Sequence, residues 1–366
     1  MLDYCFSFML NTLKKINKFD IVIYILFLFF IIFFTKFSTS VANANTYKIV
    51  DLEISKPYDN NFNKEAVIDE AFEKAFEQII LKITTLQTND IIKLKNLKTI
   101  YSLVESFSIV DEKFIDNKYI SKFEVEFNKR QLFNYLEKKN IFPSIPTEKN
   151  LLLIPVLINN ETNKVFMFSE NNFYVNWNKF NEKHHLLSYI LPNEDIEDIN
   201  IIKNNFSKIE EYNFEEIVSK YIINDYIILI LFQNDNNFNA LIKTNLNNKL
   251  VILNKKFVWT ENQTIENIIS DLKLEFENQW KKFNIINVSI KLPITLSVDS
   301  KNYKLSQKLE KKLYELDLVS NYYIDSFTNE KIIYKIIYNS TPDKFINEFT
   351  NSNIKLNTSN SIWSIE

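Results

Sequence analysis

Glycine is absent from all 366 residues, where average usage of about 7% would supply roughly 26. Backbone positions that need a positive φ must therefore fall to asparagine or aspartate, the next most tolerant residues. Phosphate-cradling loops such as GxGxxG and GxxxxGK[ST] need glycine for close backbone approach, so conventional Rossmann and Walker-type sites are excluded. The EF-hand calcium loop and the nucleophile elbow of hydrolases lose their glycines as well. Cysteine is nearly as scarce: Cys5 stands alone, upstream of everything that reads as folded. The body of the chain then has no disulfide framework, no thiolate to complete a zinc site and no lipobox cysteine. Arginine occurs once, at Arg130, and the formal net charge is only −3. That balance provides no electrostatic footprint for nucleic acid.

What is present begins with an apolar run at 21–34, IVIYILFLFFIIFF, preceded by Lys14, Lys15 and Lys18 and followed by a Ser/Ala-rich stretch ending Ala42-Asn43-Ala44. A basic n-region, an apolar core and a small-x-small site together describe a secretory signal peptide. Residues 1–44 are expected to be that leader, with cleavage leaving Asn45 first and Met9 as an alternative start. The competing reading is an uncleaved anchor through residues 19–35, at the lower limit of about 17–25 residues for a span, with Asp20 weakening it. Under either reading the basic flank stays cytoplasmic and the body is exported, to the periplasm or anchored in the inner membrane facing it.

The full chain is 46% hydrophobic and 15% aromatic, ample for packed cores. Its periodicities predict an α+β fold of three small mixed sheet/helix modules. In the first, 45–145, a strand at 47–54 precedes a helix capped by Asn63, with Ile68, Phe72, Ala75, Phe76, Ile79 and Ile83 on one face. A strand at 103–110 follows. Ser121, Phe123, Val125 and Phe127 then alternate with Lys122, Glu124 and Glu126 as a half-buried strand, turned at Asp116-Asn117. A helix at 129–139 completes βαββα. The second module, 150–285, opens with an apolar run in which Pro155 marks an edge or bulge. It continues through an unassigned stretch at 159–185 and helices at 194–206 and 213–222. A central strand at 226–232, strands at 238–245 and 250–259 turned at Asn247-Asn248, and a long helix at 263–283 follow. The third, 286–366, shows alternation from Ile286 to Val298, a Leu305/Leu309/Leu313/Leu316 stripe and a hairpin turned at 328–330. A helix starts at Thr341-Pro342, and a last strand comes from 354–356 with 362–363. That order is βαββαβ, ferredoxin-like.

The helix KEAVIDEAFEKAFEQIILKITT, the strand pair SLVESFSIVDEK and YISKFEVEFNKRQLFNYLEKKNI, and the run LLLIPVLI resemble domain-of-unknown-function family 2066 of proteobacterial exported proteins. The likeness covers most of 49–158. Members often carry glycine after the first helix, where this chain has Thr84-Thr85. The resemblance implies an envelope protein and brings no activity or site residues.

Candidate chemistry is sparse. His184 and His185 are the only histidines; as neighbours they diverge on a strand or a helix and chelate one metal poorly. They read as a polar loop, and a Ser-His-Asp triad would have to use one of them. Glu194, Asp195, Glu197 and Asp198 form one acidic cluster, and Glu210, Glu211, Glu215 and Glu216 another. Paired carboxylates could serve glycoside hydrolysis, yet at helix starts they read as solvated faces favoured by the helix dipole. Trp177, Trp259, Trp280 and Trp363 read as core or module-interface residues. No catalytic, cofactor or metal residue is assigned. The expectation is a non-catalytic scaffold or adaptor contacting other envelope proteins. The alternatives are a carboxylate-dependent periplasmic hydrolase and a small-ligand or glycan binder.

Overall fold

Three sheets, each carrying helices on its faces, make an α+β fold. The computed structural model describes residues 47–234, 237–258 and 264–365; the leader, Trp259 and Gln263 lie outside the described residues.

The first sheet contains β1 (Lys48–Pro57), β2 (Val104–Ile115) and β3 (Lys118–Phe127) in the order β1-β3-β2. Both neighbours run antiparallel to β3, so β1 and β2 are parallel strands split by a third. Between β1 and β2 lie α1 (Lys64–Ile83), α2 (Thr88–Ile92) and α3 (Leu97–Leu103), and α4 (Lys129–Lys138) follows β3. The Asn63 side chain accepts the Glu65 N–H at the start of α1, satisfying one of the donors a helix start leaves open. Val67, Phe72, Phe76, Ile79 and Ile83 bury one face of that helix.

The middle sheet is doubly covered. Its strands are β4 (Lys149–Asn159), β5 (Lys164–Phe166), β6 (Leu187–Ile190), β7 (Tyr226–Asn234), β8 (Asn237–Leu246) and β9 (Lys249–Val258). The order is β5-β4-β7-β8-β9, with β6 also on β4. Helices α5 (Asn172–Asn176), α6 (Ile196–Asn204), α7 (Glu215–Val218) and α8 (Ile265–Phe283) complete this unit. Tyr226–Asn234 is central and apolar on both sides, because separate cores pack on its two faces. Pro155 pairs with Leu229 of β7, while β6 and β5 pair only with 149–152 and 157–159 on the other side. The proline sits in that gap, where Asn171 Nδ2 donates to its carbonyl at 3.1 Å. Residues 159–185 contain only β5, α5 and two single 3-10 turns, pieces too short to establish a period.

The third sheet has β10 (Leu292–Asp299), α9 (Tyr303–Glu315), β11 (Val319–Phe327), β12 (Lys331–Tyr338), α10 (Pro342–Thr350), β13 (Leu356–Asn357) and β14 (Trp363–Ile365). Its βαββ part repeats the split order of the first sheet, β10-β12-β11. The final strand of this ferredoxin-like layout is a pair: β13 forms the outer edge, and β14 doubles back beside β10, parallel to it. Trp363 packs against Phe345 at 6.1 Å between centroids. The strand expected from Ile286 begins only at Leu292. Asn287 Oδ1 accepts the Ser289 N–H, and the Asn287 carbonyl accepts the Ile290 N–H. That asparagine turn competes with a strand ladder.

The first and third sheets share one continuous core, whose buried members come from 47–136 and 286–354; the middle unit keeps its own.

Candidate functional site

The two histidines border a cleft of about 910 Å³ lined by Lys74, Glu77, Glu182, Lys183 and Asp271, among others. Their rings meet edge to face at 4.9 Å. Behind them α8 carries Lys273, Glu277 and Lys281 at successive i+4 positions on one face, exposed by only 1%, 1% and 2%. Lys273 Nζ donates to the Phe180 carbonyl and to Asn181 Oδ1 at 2.6 Å, with the rings of Trp177 and Tyr189 at 5.8 and 5.5 Å. Glu277 Oε1 accepts from the N–H groups of Leu186 (2.9 Å) and Leu187 (2.8 Å), just after the histidine pair. Lys281 Nζ donates to the Leu81 carbonyl in the last turns of α1 at 2.6 Å. One helix face thus fastens the 180–187 loop, β6 and α1 together.

Burial dominates the electrostatics here, since removing a charge from water disfavours the ionised form. It lowers Lys273 to about 8 and also lowers Lys281. It raises the Glu277 carboxyl, against the pull of the two backbone N–H donors and the two lysines. Burial, with Lys281 beside it, brings His184 down to about 4. Burial, His184 and the two lysines bring His185 to about 3. A neutral imidazole and a low-affinity amine could serve acid–base chemistry. The ladder's ends, however, are wrapped by carbonyls and aromatic rings, so the network acts as an internal clamp. Among the described residues, no group of three or more His, Cys, Asp or Glu side chains could hold a metal ion.

The acidic clusters resolve into helix caps and solvated faces except at Asp198, which is fully buried with Oδ2 lacking a hydrogen-bond partner. Asp195 caps α6 by accepting the Glu197 N–H. Lys220 Nζ then lies 2.6 Å from Asp195, 2.7 Å from Asp198 and 3.5 Å from Glu197, and these hydrogen bonds, to Asp195 first, raise its pKa. Glu194 accepts the Ser169 N–H at 3.2 Å. Glu210, Glu211, Glu215 and Glu216 are exposed, the last two in the first turn of α7. A carboxylate pair neutralised by an ammonium leaves no room for the water or sugar that glycoside hydrolysis places between two carboxyls. Trp177 and Trp280 are buried and Trp363 is half-buried.

Sequence reasoning passed over Lys273, Glu277 and Lys281. Each follows a core residue (Leu272, Phe276, Trp280), which places it on the flank of the apolar stripe, ordinarily half wet. The 180–187 loop, Trp177, Tyr189 and Leu81, all remote in sequence, cover that flank.

Each sheet also ends in at least one long strand that pairs on one side only among the described residues: β1 and β2 in the first, β9 in the middle one and β11 in the third. β2 shifts register twice against β3, and β11 twice against β12. Such bulges twist an edge away from further pairing. β9 pairs with β8 in unbroken register from Lys249 to Val258.

No family model matches the chain, and no curated protein matches it. A solved structure described as the crystal structure of an uncharacterized protein is 4% identical, with 37% of this chain and 88% of that chain covered and a TM-score of 0.13. At that score the likeness carries no argument.

Proposed function

We propose that this chain is an exported cell-envelope protein that works by protein contact, as a scaffold or adaptor, rather than by catalysis. Its body stands in the periplasm, free after cleavage behind Ala44 or held at the inner membrane through residues 19–35. The address rests on the leader pattern and on the resemblance of 49–158 to domain-of-unknown-function family 2066.

The observation that carries the contact reading is the set of long open strands that end all three sheets, since an exposed edge offers a row of unpaired backbone groups to a partner strand. Structural contacts made by the titratable clusters support it: Lys220 holds Asp195 and Asp198, and the ladder on α8 ties segments of the chain together, while His185 Nδ1, Asp198 Oδ2 and Glu277 Oε2 are buried without a hydrogen-bond partner.

Cross-linking in living cells, followed by purification of the tagged chain and mass spectrometry, tests this reading. A reproducible envelope partner is the expected result; background binding alone would defeat it. N-terminal sequencing of the same material tests the address, with Asn45 expected if the leader is removed.

A further inference from the structure

We propose that the free side of β9 is a receptor for an extended, acidic segment of a partner protein, which joins the middle sheet as an additional strand. The inference rests on the contact reading above and names its surface and the chemistry of its partner.

β9 differs from the other three long edges in being regular, since β1, β2 and β11 each shift register against their neighbours. Its ladder to β8 is continuous over the whole strand, so its outward N–H and C=O groups keep the spacing a docking strand requires. Its side chains separate by alternation. Leu253 and Phe257 pack on the core beneath α8. Leu250, Ile252 and Val258 point to the opposite face and are 64%, 54% and 56% exposed. That face is uncovered beside a cleft of about 500 Å³ lined by Phe232, Asn239, Leu241, Asn254, Lys256 and Glu210. An added strand would set its own apolar side chains next to Leu250, Ile252 and Val258, extending a surface that now ends in water.

Charge selects the partner. The strand KLVILNKKFV has no carboxylate; Lys249 and Lys255 share the face of Leu253 and Phe257, where acidic residues of an incoming strand would stand opposite them, and Lys256 lies on the face of Leu250, Ile252 and Val258. Opposite charges directly across a strand pair are favourable and like charges unfavourable, so an incoming segment that alternates apolar with acidic residues fits. A second copy of this chain fits less well: in full-register twofold pairing of β9 with itself Lys249, Lys255 and Lys256 face Val258, Ile252 and Val251, so no lysine gains an opposite charge. Lysines on an open edge are a known guard against self-association, and here they leave acidic strands admissible.

The test titrates labelled peptides into the purified full chain and follows fluorescence anisotropy. The acidic probe matches the ten residues of β9 and alternates valine with glutamate and threonine. A second probe replaces glutamate by lysine. Two more carry N-methyl groups on one or the other alternate set of backbone nitrogens. The acidic probe should bind, weaken with added salt and exceed the lysine probe by about tenfold or more. One methylated set should lose binding and the other keep it, because only alternate N–H groups face the docked edge. Lys255→Glu/Lys256→Glu should invert the preference; Lys249→Glu/Lys256→Glu serves if the first pair misfolds by circular dichroism. No binding, equal binding of the acidic and lysine probes, or indifference to both methylated sets would overturn the proposal, as would a concentration-dependent dimer that these reversals do not affect. If the reversed chain still captures its partner in cells, the β9 inference fails while the contact reading stands. If the unaltered chain captures none, the contact reading itself falls.

Discussion

Two histidines held neutral beside two buried lysines contribute to how this protein responds to acid. His184 sits at about 4 and His185 at about 3, both below the unfolded value of about 6.5. Between those limits the unfolded chain binds protons that the folded chain refuses. Stability is therefore full above about 6.5 and is lost as pH falls toward 4, by up to about 1.4 kcal/mol per pH unit for each histidine. Burial raises the carboxyls of Glu277, Asp317 and Glu348, and these act in the opposite sense at the acid end. The diagnostic quantity is thus a difference. Urea midpoints of the wild type should decline through this window more steeply than those of His184→Asn/His185→Gln, and parallel curves would refute the assignment. Glu277 offers a second test. Glu277→Ala leaves the buried Leu186 and Leu187 N–H groups without their acceptor, and should cost about 1–3 kcal/mol for each by chemical denaturation; Glu277→Gln keeps an acceptor for Leu186 and Leu187 and should cost clearly less. None of this was legible in the sequence beyond the histidine pair itself, because the groups that bury the ladder come from other segments.

Among the elements, the chain manages its turns without glycine by the substitution its composition required. Positive φ occurs at Asp51, Asp116, Asn117, Asn140, Asn163, Asn247, Asn248 and Asn353, and otherwise at Phe168 and Phe214. Asp116-Asn117 and Asn247-Asn248 turn the β2-β3 and β8-β9 hairpins with both central residues left-handed, as a type I′ turn demands. Asn248→Gly should leave the thermal midpoint unchanged or raise it, whereas Asn248→Val should cost about 1–2 kcal/mol; equal effects would show that the turn is not held left-handed. Elements with a clean period were legible: the alternation of β3, the unbroken apolar run of β7, the stripes of α1, α8 and α9. Alternation misled at Ile286 and Val288, which are buried but held by turns, and 159–185 was opaque because β5 and α5 are each too short to repeat a period.

For the whole molecule, the decisive feature is a pair of neighbours far apart in sequence. Ser144 and Ile285 form an antiparallel bridge, with the Ile145 N–H on the Asn284 carbonyl at 2.9 Å and the Ile286 N–H on the Pro143 carbonyl at 2.8 Å. The chain therefore leaves the first unit and returns to the third at one place, and the middle unit is an insertion between two halves that share a core. Those halves are joined by more than apolar contact. Lys129 Nζ donates to the carbonyls of Tyr314 and Leu316, Tyr47 donates to Asp317 at 2.8 Å, and Arg130 lies over the Tyr322 ring at 4.3 Å. Insertions succeed where chain ends lie close together, and excision should follow the same rule. A chain lacking 148–283, with a short flexible linker between Thr147 and Asn284, should fold cooperatively. Its cost includes the loss of the Lys281 contact on Leu81, the Lys183 contact on the Asp51 carbonyl, the Lys82–Glu148 ion pair and the Trp280 Nε1 contact on the Thr147 carbonyl. Residues 47–147 alone should not fold so, because their half of the shared core would face water. Denaturant titration by circular dichroism distinguishes the cases: a single sharp transition for the joined halves and none for the first half is expected. A cooperative transition in the isolated first half would mean that the shared core is a contact between finished modules rather than one folding unit.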